Sequence, residues 1–160
     1  MTIALFGKNI ALENGDYMRR LFDELSDNQV EITVYQHFAN LVKAFVPEGV
    51  HYSVFNSHDD LNADILFSIG GDGTILDTVP FVRDSGMPVL GINMGRLGFL
   101  SSISKNEIGE AVKSVLAGDY SVEHRTLLEL VEPENVFGDV RYALNELNVI
   151  RNPEHSLLDL

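Results

Sequence analysis

The chain has 160 residues, enough to bury a core without cross-links, and its 45% hydrophobic and 22% charged residues are typical of a folded soluble domain. It contains no cysteine, which excludes disulfides, zinc-thiolate sites and thiol catalysis. The net charge of -13 and the dispersed Lys and Arg residues lack the basic stripe that binds a phosphate backbone, so nucleic acid is not expected as a partner.

Strand-like and helix-like patterns alternate over the first 118 residues. Short apolar or β-branched runs predict strands at residues 3–6, 30–35, 52–55, 63–69 and 87–93. Apolar side chains at three- and four-residue steps predict helices at residues 16–26, 38–45, 74–83 and 105–116. Pro80 is expected to kink or shorten the third helix. The alternation predicts a Rossmann-like α/β fold, in which a mostly parallel sheet has helices on both faces.

The pattern changes after residue 118. Strand-like segments follow at residues 122–131, 136–144 and 147–150, and no helical pattern separates them. We therefore predict an α/β domain over residues 1–118 and the beginning of an incomplete, β-rich second domain over residues 119–160. Unclosed strands would expose an edge and an apolar face, so we expect either a partner that covers them or a longer protein.

A glycine-rich turn that contains an acid follows the predicted strand at residues 63–69. Residues 70–74 read Gly-Gly-Asp-Gly-Thr, which places Asp72 at the carboxyl edge of the sheet, where α/β proteins bind ligands. The glycines allow the backbone to approach a phosphate closely. A carboxylate beside a phosphate is repelled unless it holds a metal or accepts a proton. The alternative is that Asp72 is a helix N-cap, and Asp77 is interpreted as an acid favoured by the helix dipole.

Two further motifs accompany this turn. Residues 91–100 contain three glycines at the end of the neighbouring predicted strand, so two glycine-rich loops are expected to line one cleft. Phe99 can either stack on a base in that cleft or plug the core, and Arg96 can either pair with a phosphate or remain solvated. Asn145 and Glu146 can hydrogen-bond a base edge and ribose hydroxyls, although an ordinary turn is the alternative.

Together and in this order, the three motifs resemble those of the ATP-dependent NAD kinases, which phosphorylate the 2′-hydroxyl of the adenosine ribose of NAD to make NADP. The Gly-Gly-Asp-Gly element alone is shared with lipid kinases and, more loosely, with sugar kinases, but the combination is more specific. The resemblance implies that Asp72 accepts the 2′-hydroxyl proton. It also implies a nucleotide site to which four other residues contribute: Gly73 beside Asp72, Phe99 at the adenine pocket, Asn145 at adenine and Glu146 at the ribose.

The same resemblance implies the substrates and partners. NAD and ATP are expected as substrates, with a divalent cation, Mg²⁺, that no dedicated protein site readable from the sequence holds. A homo-oligomer, either a dimer or a tetramer, is expected where the second domain is complete. The sequence has no signal-peptide pattern and no apolar run of membrane-spanning length, which predicts a cytoplasmic protein without a membrane partner.

The resemblance covers nearly all 160 residues but only about the first half of a typical family member. The stretch around a Thr-Pro-Thr-Gly-Ser-Thr core and the final segment of the family are missing, so activity is predicted for the intact protein and is open for this chain alone. Two alternatives remain from the sequence. One is a lipid or sugar kinase of the Gly-Gly-Asp-Gly type, and the other is a truncated nucleotide-binding module without catalysis.

Overall fold

The computed structural model describes residues 1–96, 98–101, 103–133, 136, 138, 140–144 and 146–148. The chain divides into two compact units, Met1–Glu123 and His124–Leu160. Within the described ranges, no helix is both long enough and apolar enough to cross a membrane.

The first unit is built on a parallel sheet. Its strands in the described residues are β1 (Thr2–Phe6), β2 (Glu31–Tyr35), β3 (Ser53–Phe55), β4 (Ile65–Gly70), β5 (Val89–Asn93) and β6 (Ile103–Ser104). They lie in the order β3-β2-β1-β4-β5-β6, and each neighbouring pair is parallel. This is the strand order of the Rossmann fold, so the predicted fold class is confirmed.

Helices cover both faces of this sheet. Their bounds are α1 (Gly15–Asp27), α2 (Gln36–Val42), α3 (Asp72–Leu76), α4 (Val79–Val82) and α5 (Ile108–Ala117). On one face, α1 and α5 pack together and bury apolar side chains such as Phe22 and Val112. On the other face, Phe81 of α4 packs on Phe6 and Phe55. Burial of both faces explains the near-continuous apolar runs of the central strands.

The predicted helix at residues 74–83 is divided into the short helices α3 and α4. The Thr78 hydroxyl donates a hydrogen bond to the Ile75 carbonyl at 2.7 Å, between the two helices. Pro80 is the second residue of α4, where its missing N–H leaves no hydrogen bond of the helix unmade. The proline therefore begins a new helix here and does not kink a continuous one.

The second unit contains a small antiparallel pair, β7 (Leu128–Glu129) and β8 (Tyr142–Ala143). The Arg141 guanidinium pairs with the Glu129 carboxylate at 3.2 Å across this pair. The strands predicted at residues 122–131 and 136–144 are thus reduced to two paired residues each in the described part of the chain. For the segment predicted at residues 147–150, Leu147 and Asn148 are not in a strand, and residues 149 and 150 lie outside the described residues.

Candidate active site

The site lies at the carboxyl edge of the sheet, where the strand order reverses. From β1 the chain builds outward to β2 and β3, and then returns to place β4 and β5 on the other side. Such a reversal leaves a crevice beyond the strand ends. Strand β4 ends at Gly70 with a φ of +155°, and a Cβ there would overlap the Thr74 side chain, so this turn requires glycine. Asp72 follows two residues later, as the first residue of α3.

The Asp72 carboxylate binds the loop that follows β5. Its Oδ2 accepts a hydrogen bond from the Phe99 N–H at 2.7 Å. Its Oδ1 accepts from the Leu100 N–H at 3.1 Å, and from both the N–H and the hydroxyl of Ser101 at 2.9 Å. The two glycine-rich segments therefore meet at one carboxylate, as the sequence suggests. The alternative that Asp72 caps its own helix is wrong, since Gly71 holds the N-cap position.

These hydrogen bonds also set the acidity of Asp72. Donation from the Ser101 N–H, and next from the Phe99 N–H, lowers the pKa of this half-buried carboxyl from its ordinary value of 3.8 to about 2, while partial burial opposes the shift. Donors stabilise the ionised form because a carboxylate accepts hydrogen bonds more strongly than a carboxylic acid does. Asp72 is therefore ionised throughout the physiological range, and the loop is bound to a full negative charge.

A pH dependence of stability follows from this shift. Because the pKa is lower in the folded state, the stabilisation is complete above about pH 4 and is lost as the pH falls through about 2. We expect the difference in unfolding free energy between the unsubstituted chain and Asp72→Asn to be constant from pH 7 to 5 and to shrink below pH 4. Urea denaturation at a series of pH values measures it. A difference that stays constant down to pH 3 would contradict the assignment.

The other predicted nucleotide contacts on the first unit are accessible. Gly73 is exposed within α3, next to Asp72. The Phe99 side chain is 100% exposed, so it does not plug the core. Asp77 is ion-paired with Lys8 at 2.7 Å, which supports its interpretation as a structural acid, and Arg96 is exposed on the loop. An exposed aromatic ring beside a glycine-rich turn is available to stack on a planar base.

The third motif lies in the second unit. Glu146 is exposed, and its carboxylate accepts a hydrogen bond from the Asn148 side-chain amide at 3.0 Å. Asn145, which was predicted to contact adenine, lies outside the described residues. The adenine and ribose contacts of this motif stay predictions.

Two residues that the sequence interpretation missed complete the site. Asn93 ends β5 and Ser101 ends the loop, and their side chains are buried beside Asp72. Ser101 contacts the Asp72 carboxylate directly, and Asn93 contacts Ser101. Asn93 could have been identified from the sequence, because a polar residue at the end of a buried strand, at the ligand edge of the sheet, indicates a site residue. For Ser101, the sequence offered no comparable signal.

The described residues contain no cluster of metal-ligating side chains. They contain no group of three or more His, Asp or Glu side chains that could hold a metal ion. Of the two acids in and after the turn, Asp72 accepts four hydrogen bonds from described residues, and Asp77 is paired with Lys8. Mg²⁺ commonly keeps several waters and binds largely through substrate phosphates, and such binding requires no protein cage.

Known proteins match most of this chain. The ATP-NAD kinase N-terminal domain matches residues 3–120, a range that includes β1 from its second residue, the Asp72 turn, the loop after β5 and α5. The chain belongs to the NAD kinase family. NAD kinases of Cytophaga hutchinsonii and Flavobacterium johnsoniae are 32% and 37% identical to it, over 99% of this chain and 55% of each relative. The chain thus spans about half the length of the curated NAD kinases it matches.

A solved structure supports the same assignment. Yeast NADH kinase, determined in complex with NADH, resembles the chain with a TM-score of 0.66 and 26% identity. The match covers 81% of this chain and 41% of the yeast chain. The fold predicted from the alternation of strands and helices is therefore confirmed, and so is the membership in the NAD kinase family predicted from the three motifs.

Proposed function

We propose that the intact protein is an NAD kinase, which transfers the γ-phosphoryl group of ATP to the 2′-hydroxyl of the adenosine ribose of NAD. The observation that carries the proposal is the position of Asp72, an ionised carboxylate held by the second glycine-rich loop at the ligand edge of the sheet. It lies within the range that matches the NAD kinase domain. In the proposed reaction, Asp72 is the catalytic acceptor of the hydroxyl proton.

The chemistry agrees with the low basicity of this carboxylate. The 2′-oxygen forms a bond to the γ-phosphorus, the bond from that phosphorus to the bridging oxygen breaks, and ADP leaves. The hydroxyl proton passes to Asp72. Phosphoryl transfer has a loose transition state, in which the attacking oxygen needs little deprotonation before the phosphorus is reached. A weak base that is well oriented is therefore sufficient, and positioning contributes most of the rate.

The nucleotide contacts are assigned by the same proposal. Gly73 lies beside the acid, Phe99 stacks at adenine, Asn145 contacts adenine and Glu146 contacts the ribose. The exposure of the Phe99 ring supports its part, because stacking requires a free face. ATP enters with Mg²⁺ bound to its phosphates, so the cation is part of the substrate complex. We also propose a cytoplasmic homo-oligomer, a dimer or tetramer, that binds neither nucleic acid nor membrane.

Assay of NADP formation tests this function. The intact protein and the 160-residue chain are each incubated with ATP, Mg²⁺ and NAD, and NAD is titrated calorimetrically in parallel. NADH is a second acceptor, since the yeast neighbour was solved with it. We expect the intact protein to bind NAD and form NADP, without phosphorylation of diacylglycerol or fructose 6-phosphate. Binding without turnover favours a non-catalytic module. Phosphorylation of the lipid or sugar instead of NAD contradicts the proposal.

A further inference from the structure

Two polar side chains beside Asp72 are buried but have no part in the proposed reaction. Asn93 is 2% exposed and Ser101 is 0% exposed. Buried polar groups are almost always hydrogen-bonded, and their partners show what they hold in place. Both residues bond to the loop between β5 and β6 or to Asp72, so their function concerns this carboxylate.

The backbone fixes the orientation of the Asn93 amide. The Gly95 N–H donates to Asn93 Oδ1 at 2.8 Å, and Asn93 Nδ2 donates to the Arg96 carbonyl at 2.6 Å. An N–H can only donate and a carbonyl can only accept, so a flipped amide would lose both bonds. The second N–H of the amide is therefore directed to the Ser101 hydroxyl oxygen, at 2.9 Å.

The direction of the next hydrogen bond follows. A serine hydroxyl has one proton, and its oxygen already accepts from Asn93. Its proton is thus donated to Asp72 Oδ1, at 2.9 Å. The hydrogen bonds among the three side chains therefore run in one direction. The Asn93 amide donates to the Ser101 hydroxyl, and the hydroxyl donates to the Asp72 carboxylate.

The two oxygens of the carboxylate are unequally occupied. Oδ1 accepts three hydrogen bonds from described residues, whereas Oδ2 accepts one, from the Phe99 N–H. A carboxylate oxygen has two lone-pair directions in its plane, so Oδ1 has no free direction, and Oδ2 has one that no described residue occupies. We propose that Asn93 and Ser101 are positioning residues that orient Asp72 so that Oδ2 accepts the proton of the substrate hydroxyl.

This proposal rests on the proposed kinase function and specifies how its acid is held. A carboxylate that accepts a proton late in the reaction contributes through its orientation. Rotation about the Asp72 side chain would exchange Oδ1 and Oδ2, and the hydroxyl of Ser101 together with the three N–H groups opposes that rotation. The hydrogen bonds from Asn93 to Ser101 and from Ser101 to Asp72 also connect the carboxylate to the rigid strand β5. The backbone N–H groups do not make this connection.

Kinetics of two substitutions test the proposal. Ser101→Ala removes the hydroxyl, and Asn93→Asp replaces the donating amide by an acceptor, so the hydroxyl turns away from Asp72. Each is expected to lower kcat roughly 10- to 100-fold, as for the loss of a hydrogen bond to a charged group, with the KM for NAD changed less than about twofold. Combined, they should cost clearly less than the product of the two separate losses, because Asn93 orients the Ser101 hydroxyl in addition to holding the Arg96 carbonyl. A raised KM with unchanged kcat, or additive losses, would overturn the proposal.

A spectroscopic measurement keeps the proposal testable if no NADP forms. The ¹³C chemical shift of the Asp72 carboxyl carbon is followed against pH in the labelled chain. Both substitutions should move the titration midpoint upward, and an unchanged midpoint overturns the positioning assignment whatever the activity. Failure of the proposed function is separately visible as no turnover by the unsubstituted protein.

A matched control distinguishes a loss of Asp72 orientation from a general loss of stability. Thr78→Val also removes a buried hydroxyl, one that donates to the Ile75 carbonyl and not to Asp72. It is expected to leave kcat within about twofold and the Asp72 titration midpoint unchanged, although it lowers the urea concentration at which half of the protein unfolds. Equal effects from Thr78→Val and Ser101→Ala would overturn the proposal.

Discussion

Replacing Asp72 by Asn is expected to reduce turnover by about 10²- to 10⁴-fold, while NAD affinity is largely retained. The amide cannot accept the proton of the 2′-hydroxyl, and it lacks the charge to which the loop is bound. Its oxygen can take the place of Oδ1 and keep the bonds from Leu100 and Ser101. Its NH₂ group then faces the Phe99 N–H, so that hydrogen bond is lost. Steady-state kinetics and calorimetry measure the two effects.

A neighbouring acid provides the control for this substitution. Asp77 lies five residues later and forms an exposed ion pair with Lys8, a contact of the kind that contributes about 0–1 kcal/mol. Asp77→Asn is expected to leave turnover within about twofold. Near-normal turnover of Asp72→Asn, or equal losses from both variants, contradicts the catalytic assignment of Asp72.

The second large effect is expected from Gly98→Ala. A Cβ at Gly98 would overlap the Asp72 carboxylate, whose atoms are held by hydrogen bonds from residues 99–101. Either the loop or the carboxylate must move, and both displacements break these bonds. Misplacement of a reacting group by about 1 Å can cost about 10²-fold in rate, and we expect a loss of that size in turnover. Amide exchange of Phe99 and Ser101 should accelerate in the same variant.

Gly95 is the matched control on the same loop. The nearest atom to a Cβ there is Asn93 Oδ1 at 3.9 Å, an ordinary contact. Gly95→Ala is therefore expected to keep turnover within about twofold and to leave amide exchange at residues 99–101 unchanged. If both alanine variants lose activity equally, the effect reflects loop flexibility, and the close approach of Gly98 to Asp72 is not its cause.

Most strands and helices of the first unit could be predicted from the sequence. Strands predicted at residues 3–6 and 30–35 are observed as β1 and β2, because buried parallel strands require near-continuous apolar residues. Helix α5 ends where expected, with Gly118 in the left-handed conformation. The break between α3 and α4 was harder to predict. A proline indicates that a helix boundary is near, but it does not indicate whether the helix ends before it or begins at it. Strand β6 was missed because its two residues carry no pattern.

The second unit was harder to predict than the first. The runs at residues 122–131 and 136–144 are rich in strand-forming residues, yet only Leu128–Glu129 and Tyr142–Ala143 pair within the described residues. Strand propensity expresses how a residue fits a half-buried sheet surface, so it depends on neighbours that a single segment does not contain. Composition alone could therefore indicate β character without giving the strand bounds.

The sequence by itself determined that a carboxylate follows a buried strand at the ligand edge, and that three motifs together belong to the NAD kinase family. The tertiary structure decided what that carboxylate binds. Asp72 is held by the N–H groups of Phe99, Leu100 and Ser101, and its Oδ1 and Oδ2 are unequally occupied. Every residue except proline has the same N–H group, so no residue type marks these donors. Which N–H groups bind Asp72 is determined by the tertiary contact between the loop after β5 and α3.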